Sequence, residues 1–337
     1  MKILMIGGTG IISSACSELI VKRGMELSIL NRSVSTKFSI PDGAHHLVGD
    51  IYGDPARIAG LLHGQCFDAV VNWVAYTPEH IEESIRLFSG LTDQFVFISS
   101  ASAYQKPPAR YIITEETPLE NPFWDYSRNK IAAEQRLMRE YHEHGFPATI
   151  IRPSLTYGLS QIPLAGASWQ HPYTVIDRVR KGKKIIIPGD GTSLWTVTWN
   201  GDFAKGLVGL LGRKDAVGQA FHITSDEVLS WNQIFAEVGK ALGLDMDIVH
   251  IASDLIAAYN PGEVGSLIGD KSHSAVFDNS KIKHFVPDFK CEVPWAEGVR
   301  RAIAWHEADP TRMTIDEEMN RNWDTLIAAY ERAYPFK

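Results

Sequence analysis

The chain has 337 residues, of which 45% are hydrophobic and 22% are charged, as in ordinary globular proteins. Its 33 basic and 40 acidic residues give a formal net charge of −7, and the basic residues form no long run, which argues against a nucleic-acid partner. No apolar stretch approaches the ~18 residues that span a bilayer. The three cysteines are widely spaced and form no CxxC motif. We therefore expect a cytoplasmic protein with no membrane partner.

Short β-rich runs alternate with amphipathic stretches through the first third of the chain. The predicted strands are KILMI at 2–6, ELSIL at 26–30, HHLV at 45–48, DAVVN at 68–72 and QFVFI at 94–98, and the predicted helices lie near 11–23, 54–63 and 79–90. Strands that alternate with helices predict an α/β fold with a doubly wound parallel sheet.

A longer helix is predicted after the fifth strand. We expect Asn121 to cap it, Pro122 to occupy its first position and Gly145 to end it. A sixth strand is predicted at 148–152. Beyond Tyr157 the pattern gives way to connections rich in glycine, proline and tryptophan, which predicts a less regular region.

The length and this change of pattern suggest about two domains. We expect a dinucleotide-binding domain over residues 1–158, to which the segment 194–224 returns. The remaining segments, 159–193 and 225–337, are expected to form a smaller and irregular substrate domain.

The stretch MIGGTGIISS places three glycines between the first strand and the first helix. At this point of a Rossmann-type sheet, glycine allows a tight turn and lets a pyrophosphate approach the N–H groups of a helix N-terminus. Ser13 stands where the fingerprint has its third glycine. The alternative is a glycine turn that only connects the two elements. The predicted cofactor contacts in this stretch are Gly7, Thr9, Gly10, Ile11 and Ile12.

The second predicted strand ends in Asn31 and Arg32, where dinucleotide sites often place an acid on the ribose hydroxyls. A guanidinium can pair with a 2′-phosphate, so this pair favours NADP over NAD; a solvated arginine is the alternative. Asp50 and Ile51 follow the third strand and could hold the adenine ring. Asp50 could equally cap a helix.

The chemistry is expected from the stretches FISSASAY and DYSRNK. Tyr126 and Lys130 are four residues apart on a predicted helix and therefore share a face. Lowering a tyrosine pKa from about 10 to 7 takes roughly 4 kcal/mol, which one positive charge about 4 Å away could nearly supply. The spacing is common by chance, so the prediction also depends on Ser100, which follows the fifth strand at the edge where such sheets bind ligands.

These motifs together resemble the extended short-chain dehydrogenase/reductases of the NAD-dependent epimerase/dehydratase group, over nearly the whole chain. The matching stretches are GGTGIIS, ISSASAY, YSRNK, IRPSLTYG at 151–158 and IPGDGTSLWTVTWNGDFAKGL at 187–207. The resemblance implies that Ser100 holds the substrate oxygen, that Tyr126 is the acid/base, and that Lys130 binds the nicotinamide ribose and lowers the tyrosine pKa. It also implies cofactor contacts from Trp73, Val74 and Ala75 and from the turn Pro153 to Leu155.

The chain departs from the sugar-nucleotide enzymes of this group at two positions. Leu155 stands where an asparagine is usual, and Trp195 where a phosphate-binding arginine is usual. Aromatic residues could line the substrate pocket instead, or belong to the core; they are Tyr76, Trp169, Trp195 and Trp199. Of the side chains outside the catalytic set, Tyr76, Ser102 and Trp195 are the expected substrate contacts.

The resemblance implies hydride transfer between NAD or NADP and a hydroxyl or carbonyl carbon of a sugar or nucleotide-sugar-like small molecule. Dehydratases of the group carry an acidic pair just after the catalytic serine or threonine, where this chain has Ala101 and Ser102. Epimerisation, or simple dehydrogenation or reduction, is therefore favoured over elimination. The group also forms homodimers through helices equivalent to 79–90 and 122–144, with Leu137, Met138 and Tyr141 either at that contact or facing the sheet.

The remaining histidines and lysines give little indication of a further functional site. His142 and His144 cannot share a helix face, and His45 and His46 point to opposite sides of a strand, so no metal site is expected. The segment 269–285 could reach the active site through Lys271, His273 or Asp278.

Two other classes of function remain open at this stage. One is an RNA-binding protein like the chloroplast stem-loop-binding relatives of the group, whose cofactor loop is similarly followed by an Asn-Arg pair; the net charge of −7 speaks against it. The other is a dinucleotide-sensing regulator without chemistry, although such proteins tend to lose the tyrosine.

Overall fold

The computed structural model describes residues 1–34 and 37–333. Its strands are β1 (Lys2–Ile6), β2 (Glu26–Asn31), β3 (His45–Val48), β4 (Ala69–Asn72), β5 (Phe95–Ile98), β6 (Ile112–Ile113), β7 (Ala148–Pro153), β8 (Leu155–Tyr157), β9 (Ile185–Pro188), β10 (Leu194–Trp195), β11 (Val197–Trp199), β12 (Ala220–Ile223), β13 (Leu229–Ser230), β14 (Ile248–Ile251) and β15 (Val276–Phe277). Residues 35–36 of the expected dinucleotide-binding domain and 334–337 of the expected substrate domain lie outside the described residues.

The α-helices are α1 (Ile11–Lys22), α2 (Pro55–Leu62), α3 (Pro78–Phe88), α4 (Asp125–His144), α5 (Thr174–Arg180), α6 (Asn200–Leu210), α7 (Trp231–Leu242), α8 (Ser253–Tyr259), α9 (Ser280–Phe285), α10 (Trp295–Glu307) and α11 (Glu317–Ala333). Short 3₁₀ turns cover Ala101–Ala103, Lys214–Ala216, Pro261–Glu263 and Pro310–Arg312, and a π-helix covers Val264–Lys271. None of the described helices is both long and apolar enough to cross a membrane.

Seven parallel strands form the central sheet, in the order β12-β7-β5-β4-β1-β2-β3. This confirms the predicted doubly wound α/β fold and all six predicted strands. The segment 194–224 ends in β12, which pairs with β7 at one edge of the sheet. The chain leaves β1 toward β2 on one side and continues through β4 on the other, so a crevice opens between the loops that follow β1 and β4.

Side chains that alternate along the central strands fill both faces of the sheet. In β1, Ile3 and Met5 join a buried cluster with residues of α1 and α6, whereas Leu4 and Ile6 join a cluster with residues of α2, α3 and α4. Strands covered on both faces are expected to be apolar throughout, which explains the uninterrupted KILMI run.

The structure corrects the predicted start of the long helix. Helix α4 begins at Asp125 rather than at Pro122, and Trp124 occupies its N-cap position. The Asn121 side chain donates instead to the carbonyl oxygens of Ser102 at 2.8 Å and Gly269 at 2.7 Å. Asn121 therefore links two distant loops, because a buried amide must have hydrogen-bond partners and these two carbonyls supply them. The predicted end is confirmed, since Gly145 has a φ of 74°.

A buried ion pair fastens α4 to the sheet. Arg152 of β7 donates to both carboxylate oxygens of Glu134, at distances between 2.7 and 3.2 Å, and also to the Tyr104 hydroxyl at 3.2 Å. Both charged side chains are nearly inaccessible to water. A buried charge must be paired, so this contact fixes where α4 lies over β7.

The C-terminal elements form a third buried cluster beside the carboxyl ends of the strands. Small two-stranded pairings organise it, namely β14 with β9, β15 with β6, β11 with β8 and β10 with β13. Trp231 of α7 and Trp295 of α10 are fully buried there. The π-helix Val264–Lys271 lies against Trp124, because Gly265 and Gly269 have no side chains to keep it away. This packing places the π-helix above the start of α4.

Candidate active site

Two glycines in the loop between β1 and α1 occupy positions that a larger residue would strain. Gly7 and Gly8 have φ angles of 104° and 99°, in the region that favours glycine. A Cβ atom on Gly7 would lie 3.0 Å from Cβ of Trp73, and one on Gly8 would lie 3.1 Å from Cγ2 of Ile29. The loop is thus a bare backbone turn that leads into the N-terminus of α1, which favours anions.

Three further contacts shape this loop. Ser13, at the third fingerprint position, accepts a hydrogen bond from the Gly10 N–H at 2.8 Å. Thr9 accepts one from the Asn31 amide at 3.5 Å, and Asn200 of α6 donates to the Ile11 carbonyl at 2.6 Å. The structure therefore brings the predicted residues Gly7, Thr9, Gly10, Ile11 and Ile12 together at the crevice.

Arg32, which follows β2, has an acidic side chain beside it. Its guanidinium lies 3.8 Å from the carboxylate of Asp50, and both side chains are substantially exposed. Asp50 also accepts hydrogen bonds from the N–H groups of Tyr52 and Gly53, so it shapes a turn, and the cap of α2 is Asp54 instead. Ile51 is only 3% exposed and packs in the core, which leaves Asp50 as the surface residue beside Arg32.

The crevice contains buried polar atoms that lack a partner among the described residues. They are Trp73 Nε1, Ser99 Oγ and Ser154 Oγ, which follow the carboxyl ends of β4, β5 and β7. Asn72 accepts from the N–H groups of Val74 and Ala75, each at 3.0 Å, and so fixes the segment beneath the crevice. Unpaired buried polar atoms are costly. Together with the glycine turn, they fit a polar ligand such as a dinucleotide.

Ser100, Ser102 and Ser127 form a chain of hydroxyls at the end of β5. The Ser100 hydroxyl lies 2.9 Å from that of Ser102 and accepts a hydrogen bond from the Ser102 N–H at 3.2 Å. Ser127 of α4 donates to the Ser102 hydroxyl at 2.7 Å. Ser100 lies near enough to the Tyr126 hydroxyl to act on its pKa, and both residues line the same cavity. The structure therefore places the predicted serine and tyrosine close together.

Lys130 is buried beneath this pair. Its ammonium donates to the carbonyl oxygens of Ala75 at 2.7 Å and Ile98 at 2.8 Å. It lies 4.6 Å from the ring centre of Tyr76 and 5.8 Å from that of Tyr126. Cation–π contacts of this kind help a desolvated ammonium. Tyr126 and Lys130, which were expected to share one face of the helix, therefore do so.

The pKa values differ from the expectation. Burial raises the pKa of Tyr126 to about 12, although the hydrogen bond from Ser100 acts in the opposite direction. Burial lowers the pKa of Lys130 to about 7. The expected lowering of the Tyr126 pKa by Lys130 is therefore wrong for this arrangement, because the ammonium bonds to two carbonyls and sits over the ring rather than beside the hydroxyl.

A cavity of about 400 Å³ opens beside Ser100 and Tyr126. Ser102, Trp195 and Trp169 line it, as do Pro153 and Leu155 of the expected nicotinamide turn. Tyr76 lies outside this lining, half-exposed beside the Tyr126 ring. Trp199 packs edge-on against Tyr157 and is not part of the lining.

The sequence reasoning missed two charged lining residues, Lys106 and Asp270. Lys106 follows the serine segment closely, and Asp270 immediately precedes Lys271 in the segment 269–285, so position in the chain was an available signal for both. Lys271 of the singled-out segment does line the cavity, whereas His273 and Asp278 do not. No group of three or more His, Cys, Asp or Glu in the described part of the chain is placed to hold a metal.

The fold and this site define a dinucleotide-binding protein of the doubly wound α/β class, with a serine, a tyrosine and a lysine beside the crevice. The NAD dependent epimerase/dehydratase family matches residues 3–224, and the chain belongs to that family. It is therefore an NAD-dependent enzyme, and NAD is the cofactor that the glycine turn fits.

The sequence identities to individual relatives are low. The chain is 25% identical over 346 residues to the chloroplast stem-loop binding protein of 41 kDa b from Arabidopsis thaliana, covering 97% of this chain and 84% of that protein. It is 26% identical to the UDP-glucose 4-epimerase of Lactobacillus helveticus, covering 92% and 98%. The fold resembles the UDP-glucuronic acid 4-epimerase of Bacillus cereus, solved with NAD, with a TM-score of 0.70, 17% identity and coverage of 90% and 98%.

We predict that Gly7→Ala weakens NAD binding by at least tenfold, because the added methyl group pushes against Trp73 and the φ of 104° disfavours any side chain. Gly24→Ala is the matched control, since Gly24 also has a positive φ, of 71°, but nothing lies within 4 Å of its Cβ position. NAD titration and thermal unfolding of both variants separate the two effects. Equal NAD affinity in both variants would contradict the cofactor site.

Proposed function

We propose that the protein oxidises or reduces a hydroxyl-bearing carbon of a nucleotide-sugar-like substrate, with Ser100 and Tyr126 at the reacting oxygen. The observation that supports this proposal best is that Ser100 and Tyr126 lie together in the wall of a cavity of about 400 Å³. Lys130 lies beneath the pair, and the NAD crevice opens from the same edge of the sheet.

NAD, when bound, supplies the hydride acceptor and donor. Tyr126 takes the proton from the substrate hydroxyl as the carbon is oxidised and returns it on reduction. Ser100 holds the oxygen while it changes between hydroxyl and carbonyl, and Ser102 and Ser127 orient the Ser100 hydroxyl. Because burial raises the Tyr126 pKa to about 12, the phenol is a poor base until further positive charge or hydrogen bonds stabilise its phenolate.

Lys130 is proposed to position the cofactor. An ammonium has three N–H donors, and the carbonyls of Ala75 and Ile98 use two of them. The third can serve a ribose hydroxyl. Trp73, Val74 and Ala75 are proposed to contact the cofactor because they directly follow β4, and Pro153 and Leu155 because they line the cavity beside Tyr126.

The substrate class follows from the cavity and from relatives. The relatives named above include a UDP-glucose 4-epimerase and a UDP-glucuronic acid 4-epimerase, which supports a nucleotide sugar. We propose that it lies between the sheet and an irregular domain of residues 159–193 and 225–337, which supplies Trp169 and the π-helix to the lining, beside Trp195 of the returning segment. Ala101 and Ser102 follow Ser100 without an acid, so we favour epimerisation or dehydrogenation over elimination.

The other two classes of function are not favoured. Binding to nucleic acid requires a concentration of positive charge, whereas the chain carries a net charge of −7. Stem-loop binding is stated in the name of the Arabidopsis thaliana relative, and it is a property of that relative rather than of this chain. A sensor without chemistry has no need of a tyrosine that contacts Ser100 at a substrate-sized cavity.

We also propose that the protein is cytoplasmic, because its three cysteines are free thiols, and that it forms a homodimer through α3 and α4. These helices lie side by side at the surface, and Arg136 of α4 pairs with Glu82 of α3 at 3.3 Å. Leu137 is fully buried and cannot reach a partner, and Met138 and Tyr141 pack partly against the same core. Any contact would therefore use the polar outer surface of the two helices.

Tyr126→Phe should leave folding and NAD affinity intact and lower turnover by about 10² to 10⁴, because it removes only the hydroxyl that moves the proton. Tyr141→Phe on the same helix is the matched control. Turnover is followed by chromatographic separation of the products, and by NADH absorbance where oxidation is net, after a screen of UDP-glucose, UDP-glucuronic acid and dTDP-glucose. Lys130→Met should weaken both NAD binding and turnover, so the two variants should differ. Full activity in Tyr126→Phe would overturn the catalytic assignment.

Arg32 is proposed to favour NADP, with Asp50 reducing that preference. Arg32→Ala should then weaken NADP by about tenfold and leave NAD nearly unchanged, since it removes a charge-assisted hydrogen bond worth about 1.5 kcal/mol. Asp50→Asn should strengthen NADP by about 1.4- to fivefold, in line with the roughly 0.2–1 kcal/mol of an exposed ion pair. Fluorescence titration with both cofactors tests this. If Arg32→Ala affects NAD and NADP alike, Arg32 does not select between them.

A homodimer predicts a mass of about 75 kDa in light scattering at micromolar concentration, twice the 37.5 kDa of one chain. The charge reversal Arg136→Glu should shift the protein toward the single chain, because it adds negative charge to the outer surface of α3 and α4, which would face the same surface of the second copy. Lys181→Glu, far from α3 and α4 in the chain, serves as the control. A single species of 37.5 kDa for the unaltered protein would rule the dimer out.

A further inference from the structure

The cavity beside Tyr126 contains a buried lysine that the catalytic scheme does not use. The Lys106 side chain is only 1% exposed, and its ammonium lies 3.3 Å from a carboxylate oxygen of Asp270. The ammonium of Lys271 lies 3.7 Å from the other oxygen of the same carboxylate. Two ammonium groups thus share one carboxylate.

These three residues are the only charged ones in the described lining of this cavity. Their formal charges add up to +1. His273 in the same segment adds no further positive charge when its ring is neutral, and burial and the charge of Lys106 both lower its pKa. The adjoining cavity has Glu263, whose carboxylate is hydrogen-bonded to Ser266. A buried positive charge in excess favours an anion from outside.

A second observation points to the same place. Trp195 is 2% exposed, lines the cavity, and its Nε1 has no hydrogen-bond partner among the described residues. The Lys106 ammonium lies 5.4 Å from the centre of a Trp195 ring. An indole N–H can only donate, so it needs an acceptor. One wall of the cavity therefore contains both an indole N–H that lacks an acceptor and an excess of positive charge.

We propose that Lys106, Lys271 and the Trp195 indole form a subsite for an anionic group of the substrate, a carboxylate or a phosphate, with Asp270 as the counterion that this group partly displaces. The proposal rests on the proposed function, because it assigns the anion to the substrate whose oxygen Ser100 and Tyr126 hold. It explains how the chain can bind an anion although Trp195 replaces a cationic side chain.

The proposed role of Asp270 predicts that its substitution changes the affinity for the anion in the opposite direction from substitution of either lysine. If Asp270 competes with the bound anion, Asp270→Asn must increase affinity for the anion by at least threefold, while Lys106→Met and Lys271→Met must each decrease it by at least tenfold. If the ion pair only supports the fold, either all three substitutions weaken binding of the anion or none of them does. Opposite changes from the two partners of one ion pair therefore identify a ligand site.

The experiment measures binding by calorimetry and by tryptophan fluorescence, with the full chain and NAD present. UDP-glucose and UDP-glucuronic acid are the probes. If the subsite takes a sugar carboxylate, the substitutions change the affinity for UDP-glucuronic acid alone; if it takes phosphate, they change both affinities equally. Lys205→Met is the matched control, because Lys205 pairs with the buried carboxylate of Asp202 in α6, outside the cavity lining.

Two results decide the question. Affinities that change in opposite directions in Asp270→Asn and Lys271→Met support the subsite, even if Lys106→Met does not fold. Affinities that stay at the level of Lys205→Met, or that fall in all variants, overturn it. Because binding is measured without turnover, a loss of the subsite is distinguishable from a failure of the proposed function, which would appear as no epimerised or oxidised product from any sugar nucleotide while NAD still binds.

Discussion

The buried ammonium of Lys130 is the contact on which the active site depends. Its hydrogen bonds to the carbonyls of Ala75 and Ile98 join α4 to the segments that follow β4 and β5. An ammonium in such a place is tolerated only when it is hydrogen-bonded, and its pKa still falls to about 7. Because Tyr126 lies one turn earlier on the same helix, the same contact sets Tyr126 against Ser100.

The cavity is completed by a region far along the chain. Asn121 donates to the carbonyls of Ser102 and Gly269 and so ties the serine turn to the π-helix. Gly269 permits this approach, since a Cβ there would lie 3.1 Å from Cβ of Phe123. The π-helix in turn carries Asp270 to Lys106. Ser100 and Tyr126 are thus held by β5 and α4, whereas Asp270 and Lys271 of the cavity lining are held by the C-terminal π-helix.

The opposing pKa shifts of Tyr126 and Lys130 follow from one cause. Burial disfavours the charged form of each group, so it raises the pKa of the phenol and lowers that of the ammonium. Spacing on a helix brings the two side chains to one face, but it carries no information about how much water surrounds them. For Tyr126, the loss of water around the buried phenol outweighs the opposing effect of Ser100, and the pKa rises.

The sequence by itself determined the parallel sheet, the glycine turn and the shared face of Tyr126 and Lys130, because these depend on local periodicity and on the backbone freedom of glycine. It could not determine that Asn121 bridges two loops or that Ile51 and Leu137 are core residues. Nor could it place Asp270 beside Lys106. Those outcomes were decided by the tertiary structure, since burial and long-range hydrogen bonds arise only when segments distant in the chain pack together.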